Sequence, residues 1–97
     1  MFRILWLNSH YEGLAAIENC LETFETLDLA MEKAVELLKD AKFPSNYIRL
    51  IGNTSALTTI DFGSHTQFFV FCDVSKEEGR AAADSAVRGK VQIRARV

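Results

Sequence analysis

Residues 47–72, which read YIRLIGNTSALTTIDFGSHTQFFVFC, decide the fold. This stretch contains three apolar runs, at residues 47–51, 56–62 and 67–72. Turn-forming residues separate the runs, Gly52 with Asn53 at the first break and Gly63 with Ser64 at the second. Because links this short leave no room for a parallel crossover, the stretch predicts three strands in an antiparallel meander.

The two ends of the chain carry further strand signals. Residues 1–7 are almost continuously apolar or aromatic, which indicates a strand that is central in a sheet or covered on both faces. Residues 90–97 alternate apolar and polar side chains, and Arg94 and Arg96 lie on the polar side. This alternation predicts a C-terminal strand with one solvated, basic face.

Two helices are predicted between the strands. The first has Thr26 as its N-cap and ends before Pro44. Its apolar stripe consists of Leu27, Ala30, Met31, Ala34, Val35, Leu38 and Ala41. The second begins with a capping box of Ser75 and Glu78, runs to Val87 and is closed by Gly89.

Residues 14–24 fit two interpretations. Leu14, Ile17, Leu21 and Phe24 recur at steps of three and four after a capping box of Ser9 and Glu12, which favours a helix. In the alternative, the segment is a strand paired with the first strand through a turn at Glu12 and Gly13, with Cys20 and Glu22 on its wet face. The helix is the preferred interpretation, and both place Glu18 and Glu22 on the same side.

These elements predict one α+β domain over residues 1–97, with a mostly antiparallel sheet and two to three helices packed on one face. A length of 97 residues suits one domain, and 48% hydrophobic and 25% charged residues are typical of a globular protein. No apolar run approaches the length of about 20 residues that a membrane span needs, and no signal peptide is recognised. We therefore expect a cytoplasmic protein without a membrane partner, whose Cys20 and Cys72 are buried thiols.

The sequence offers little catalytic chemistry. His10 and His65 have no cysteine or acid at metal-ligand spacing, and the neighbouring Ser9 and Ser64 stand in no nucleophile motif. The glycines form no phosphate-binding loop. We therefore predict that the protein is not an enzyme and uses neither a cofactor nor a metal.

Acidic residues dominate the stretch from Glu12 to Asp40, where eight carboxylates accompany only Lys33 and Lys39. The residues predicted to bind a partner are Glu18, Glu22, Glu25, Asp28, Glu32, Glu36 and Asp40. Each pair of like charges at i and i+4 costs a helix about 0.2 to 0.5 kcal/mol. An ordinary solvated face, with Glu36 between the two lysines, is one interpretation. The other is a row of negative charges that resembles the phosphates of a nucleic-acid strand.

A small αβ protein with no catalytic motif and an acidic helical face resembles the anti-CRISPR and anti-restriction proteins of phages and mobile elements. The resemblance covers size, architecture and the acidic residues from Glu18 to Asp40. It implies a non-enzymatic inhibitor that mimics DNA and docks on a basic surface of a nucleic-acid-binding host complex. Direct binding of nucleic acid is not expected from such a protein, and the oligomeric state is left open.

Two alternatives rest on the basic half of the chain, since residues 41–97 carry eight bases and five acids. The first is a small nucleic-acid-binding or regulatory module that uses the C-terminal strand and aromatic stacking. Its residues are Lys90, Arg94 and Arg96 with Phe62, Phe68, Phe69 and Phe71. The second is a homodimer or enzyme subunit in which the acidic front of one molecule meets a basic back.

Overall fold

The computed structural model describes residues 1–8, 13–17, 20–41, 49–62, 67–86 and 90–91. The strands are β1 (Phe2–Asn8), β2 (Gly13–Ile17), β3 (Arg49–Asn53), β4 (Leu57–Asp61), β5 (Gln67–Asp73) and β6 (Lys90–Val91). The helices are α1 (Leu27–Ala41) and α2 (Glu77–Ala86). The α+β class and the presence of at least two helices are therefore confirmed.

The strands form one sheet in the order β3-β4-β5-β1-β2-β6. The predicted meander of β3, β4 and β5 is confirmed, with both pairs antiparallel. The pair of β2 and β6 is parallel, and residues 92–97 of the predicted C-terminal strand lie outside the described residues. The sheet is thus mostly antiparallel, as predicted.

The first turn of the meander lies later than predicted. Gly52 and Asn53 belong to β3, where the register shifts between Leu50 and Gly52. The chain reverses just after β3, where the Thr54 amide donates to the Leu57 carbonyl at 2.8 Å. The Leu57 amide in turn donates to the Thr54 hydroxyl at 3.1 Å. Because the Thr54 side chain supports the turn, the glycine is free to stay in the strand.

The two most apolar strands lie at the centre of the sheet, as predicted. β1 pairs along its whole length with β5, from Phe2 opposite Asp73 to Asn8 opposite Gln67. Consecutive side chains of β1 and of β5 are buried, among them Ile4, Leu5, Trp6, Phe69, Val70, Phe71 and Cys72. Since neighbouring residues of a strand point to opposite faces, both faces of these strands are covered.

The two helices cover opposite faces, so the prediction that they pack on one face is wrong. Helix α1 packs over Ile4 and Phe69 in the larger buried cluster, whereas Ala86 of α2 packs with Leu5 and Val70 in the second cluster. The physical reason is the unbroken apolar sequence of the central strands. Both faces of these strands carry large apolar side chains, whose removal from water stabilises the fold. One helix can cover only one face, so the second face needs a second helix.

Residues 13–17 are a strand, so the preferred helix interpretation of residues 14–24 is wrong. β2 pairs antiparallel with β1, with Gly13 opposite Asn8 and Ala16 opposite Leu5. The strand alternative also fails beyond Ile17, because Cys20 is buried and Leu21 is 45% exposed. Pairing with β1 satisfies the backbone of this short segment and overrides its weak helical period.

Helix α1 begins as predicted. The Thr26 carbonyl accepts from the Ala30 amide at 3.2 Å, and the Thr26 hydroxyl accepts from the Leu29 amide at 3.2 Å. Of the predicted apolar stripe, Ala30, Ala34 and Leu38 are buried and Leu27 and Met31 are half-buried. Val35 is 36% exposed, and the buried Leu37 was missed. Pro44, the predicted end signal, lies outside the described residues.

Helix α2 does not use the predicted capping box. The helix begins at Glu77, and Ser75 donates from both its amide and its hydroxyl to Asp73 Oδ1, at 3.1 and 2.6 Å. These two hydrogen bonds hold the pKa of Asp73 below its usual value. The Asp73 carboxylate thus organises the approach to α2. The predicted helix end, Val87 and Gly89, lies outside the part of the chain that the structure describes.

Candidate functional site

The outer side of α1 carries four carboxylates, those of Asp28, Glu32, Glu36 and Asp40, and all four residues are exposed. We call these four residues the acidic face. A helix rises 1.5 Å per residue, so neighbouring members are about 6 Å apart along the axis and the row is about 18 Å long. At about 100° per residue, the four positions span about 120° of arc. The structure therefore brings these four predicted residues together on one side of one helix.

Two lysines accompany the acidic face on α1. Lys33 Nζ lies 3.5 Å from Glu36 Oε1, and this pair sits at the edge of the face. Lys39 lies in the last turn, where a positive charge stabilises the helix dipole. Four acids and two bases leave α1 with a net charge of −2. Exposed ion pairs of this kind contribute about 0 to 1 kcal/mol and leave the carboxylates accessible.

The other three predicted residues, Glu18, Glu22 and Glu25, do not extend the acidic face along α1. Glu22 and Glu25 are exposed, but they lie in the non-helical segment before α1. This segment is held to the start of β1, because Phe24 and Phe2 exchange amide-to-carbonyl hydrogen bonds of 2.7 Å. Glu18 lies outside the described residues. The predicted line from Glu18 to Asp40 is therefore continuous on α1 only from Asp28.

Both cysteines are buried free thiols, as predicted. Burial raises the pKa of each thiol to about 11, with Lys33 opposing the rise at Cys20 and Arg3 opposing it at Cys72. Both thiols are therefore protonated near pH 7. A reactive cysteine needs a lowered pKa and access to solvent, so the environment of these two is that of core residues.

Other kinds of site find little support within the described ranges. No group of three or more His, Cys, Asp or Glu residues there could hold a metal ion. Neither described helix combines the length and the apolar character needed to cross a bilayer. His10, His65, Ser9 and Ser64 lie outside these ranges.

The nucleic-acid-binding alternative predicted aromatic side chains that stack on bases, and this prediction is wrong. Phe62, Phe69 and Phe71 are each only 1% exposed, and Phe69 packs edge-on against Trp6 with ring centroids 5.3 Å apart. These rings form the core under α1, so no base could stack on them. Phe68 is half-buried, and Arg94 and Arg96 lie outside the described residues.

Sequence reasoning missed an apolar groove beside the acidic face. The groove has a volume of about 370 Å³ and is lined by Leu27, Met31, Leu50, Asn53, Thr58 and Ile60. Leu50 is 55% exposed, and nothing in the apolar run at residues 47–51 predicted this exposure. The position of β3 at the end of the sheet causes this exposure, and the local sequence carries no signal for strand order.

Comparison of the chain with protein-family models, with curated proteins and with solved structures found no match.

Proposed function

We propose that this protein is a non-enzymatic inhibitor that presents the acidic face of α1 as a DNA mimic to a basic surface of a nucleic-acid-binding host complex. The observation that supports the proposal is the placement of Asp28, Glu32, Glu36 and Asp40, all exposed, on one side of one helix. Glu22 and Glu25 add exposed carboxylates from the preceding segment. The proposal follows the resemblance of the sequence to small anti-CRISPR and anti-restriction proteins.

The physical basis is the electrostatics of nucleic-acid binding. A cleft that binds DNA gains much of its affinity by neutralising phosphates with Lys and Arg and releasing their counterions. Carboxylates held at regular intervals on a packed helix present the same sign of charge without the entropy cost of ordering a flexible chain. The cleft would therefore accept the acidic face in place of a polynucleotide.

The charge pattern also has a small cost that the proposal explains. The four acids make three successive like-charged pairs at i and i+4, each destabilising by about 0.2 to 0.5 kcal/mol. Surfaces that need only solubility usually intersperse both signs of charge. When the acidic face binds a cationic partner, the positive charges of the partner offset the repulsion between its carboxylates.

The proposal places the protein in the cytoplasm, together with the nucleic-acid-binding complex that it would inhibit. Two buried free thiols and no disulfide among the described residues agree with a reducing compartment.

Charge reversal tests the proposal. We expect the triple variant Asp28→Lys, Glu32→Lys and Glu36→Lys to lose its partner, because the face then repels a basic cleft. The measurement is capture from a host lysate with the immobilised protein, followed by mass spectrometry of the bound nucleic-acid-binding proteins. Circular dichroism of the variant should match that of the parent protein.

A matched control exists on α2, where Glu77, Glu78 and Asp84 are exposed. Changing these three residues to lysine alters the net charge by the same amount as the α1 variant. The α2 variant should capture the same proteins as the parent. Equal capture by both variants would show that binding does not need the acidic face, and equal loss by both would show that overall charge rather than the acidic face governs binding.

A further inference from the structure

The apolar groove lies between the first half of α1 and the end of the sheet. Leu50 of β3 stands directly opposite Ile60 of β4, so both side chains point to the same face of the sheet. Ile60 belongs to the core under α1, and Leu27 and Met31 of α1 pack against that core. The groove is thus a continuation of the hydrophobic core that is open to solvent at Leu50. Its volume of about 370 Å³ falls within the range of sites that take a ligand group.

The strand that borders the groove offers backbone pairing as well. β3 is the end strand of the described sheet, and each of its five residues is exposed. It carries two large exposed apolar side chains, Leu50 and Ile51. An end strand with apolar side chains is a template to which an extended segment can add by main-chain hydrogen bonds.

Charge narrows the choice of occupant. The six residues that line the groove are all uncharged. Asp28 follows Leu27 in α1, Glu32 follows Met31, and both acids are exposed. Residues three apart on a helix are neighbours, so Asp28 also lies beside Met31. The groove therefore has a mostly apolar lining, and two exposed acids stand on α1 next to its lining residues, an arrangement that complements a segment with one apolar anchor among Lys or Arg residues.

We propose that the groove binds an extended basic segment of the partner protein, which adds as a strand to β3. Its apolar anchor packs between Leu50 and Met31, and a neighbouring Lys or Arg pairs with Asp28 or Glu32. This inference rests on the proposed function and specifies the chemistry of the partner. The acidic face attracts the basic segment electrostatically, and the groove selects a segment that carries the apolar anchor.

A pair of variants in β3 isolates the groove. Leu50 and Ile51 are both exposed, but only Leu50 lines the groove. Threonine suits a strand, so Leu50→Thr and Ile51→Thr should both fold. The probes are two fluorescent peptides of nine residues, each with a central anchor flanked by alternating Lys and Thr. The anchor is leucine in one peptide and serine in the other, so the two carry equal charge.

We expect the leucine peptide to bind the full-length protein about tenfold more tightly than the serine peptide, since burial of one apolar side chain accounts for such a ratio. Leu50→Thr should remove this difference and Ile51→Thr should keep it.

The inference is overturned if Leu50→Thr leaves the ratio unchanged, or if sedimentation shows a dimer that Leu50→Thr dissociates, because a second copy then fills the groove. Reversal of Asp28 and Glu32 to Lys weakens both peptides if the proposed function holds. If only the anchor preference fails, the inference falls and the proposed function stands.

Discussion

Replacing Phe69 with alanine is expected to lower the free energy of unfolding by about 3 to 5 kcal/mol. Phe69 is 1% exposed on a central strand. The centroid of its ring lies 5.2 Å from the ring centroid of Phe62 and 5.3 Å from that of Trp6. The substitution removes the ring from the middle of this aromatic cluster and leaves a cavity under α1. A domain of this size has a total stability of about 5 to 15 kcal/mol, so the variant should be close to unfolding.

Urea unfolding followed by circular dichroism measures the effect. Phe68→Ala is the matched control, because Phe68 is the preceding residue of the same strand and is only half-buried. It should cost clearly less than Phe69→Ala. Equal losses for the two variants would contradict the placement of Phe69 at the centre of the core.

The second large effect is expected at Gly79, where alanine should destabilise the protein by about 1 to 3 kcal/mol. In the interior of an exposed helix, the same substitution is stabilising by about 0.5 to 1 kcal/mol. Gly79 is buried in α2 against the end of β5, and a Cβ atom there would lie 2.6 Å from the Asp73 carbonyl carbon and closer still to its oxygen. Because backbone atoms cannot rotate away, α2 would have to move off the sheet.

The sign of the change is the diagnostic result. Asp84→Ala serves as the control, since Asp84 is an exposed residue of the same helix and alanine is the better helix former. Thermal unfolding should show a lower Tm for Gly79→Ala and an equal or higher Tm for Asp84→Ala. A higher Tm for Gly79→Ala would mean that α2 does not approach Asp73 closely.

The fold could be predicted where one period dominated the sequence. The start and apolar stripe of α1 followed from a helical period and from Thr26, and the meander followed from the two short breaks within residues 47–72. Residues 14–24 satisfied two periods over a short length, so pairing with β1 decides the structure at the start of this segment, where β2 forms. The same continuous apolar pattern that placed β1 centrally also required helices on both faces, a consequence that the one-face prediction overlooked.

Part of the candidate site could likewise be predicted from the sequence, and part could not. The exposure of Asp28, Glu32, Glu36 and Asp40 follows from the helical period that buries Ala30, Ala34 and Leu37 on the other side. The positions of Glu22 and Glu25 depend on how the preceding segment attaches to β1, which no local pattern specifies. The apolar groove depends on strand order, a long-range property that places Leu50 at the end of the sheet.

The acidic face and duplex DNA should compete for one basic surface of the partner. The most direct measurement is to capture the partner on the immobilised protein and to add increasing amounts of a short DNA duplex at constant salt. Mimicry predicts that the duplex releases the partner and that no complex of all three forms. Retention of the partner at saturating duplex, with DNA bound beside it, would contradict the proposal that the carboxylates of α1 stand in for phosphates.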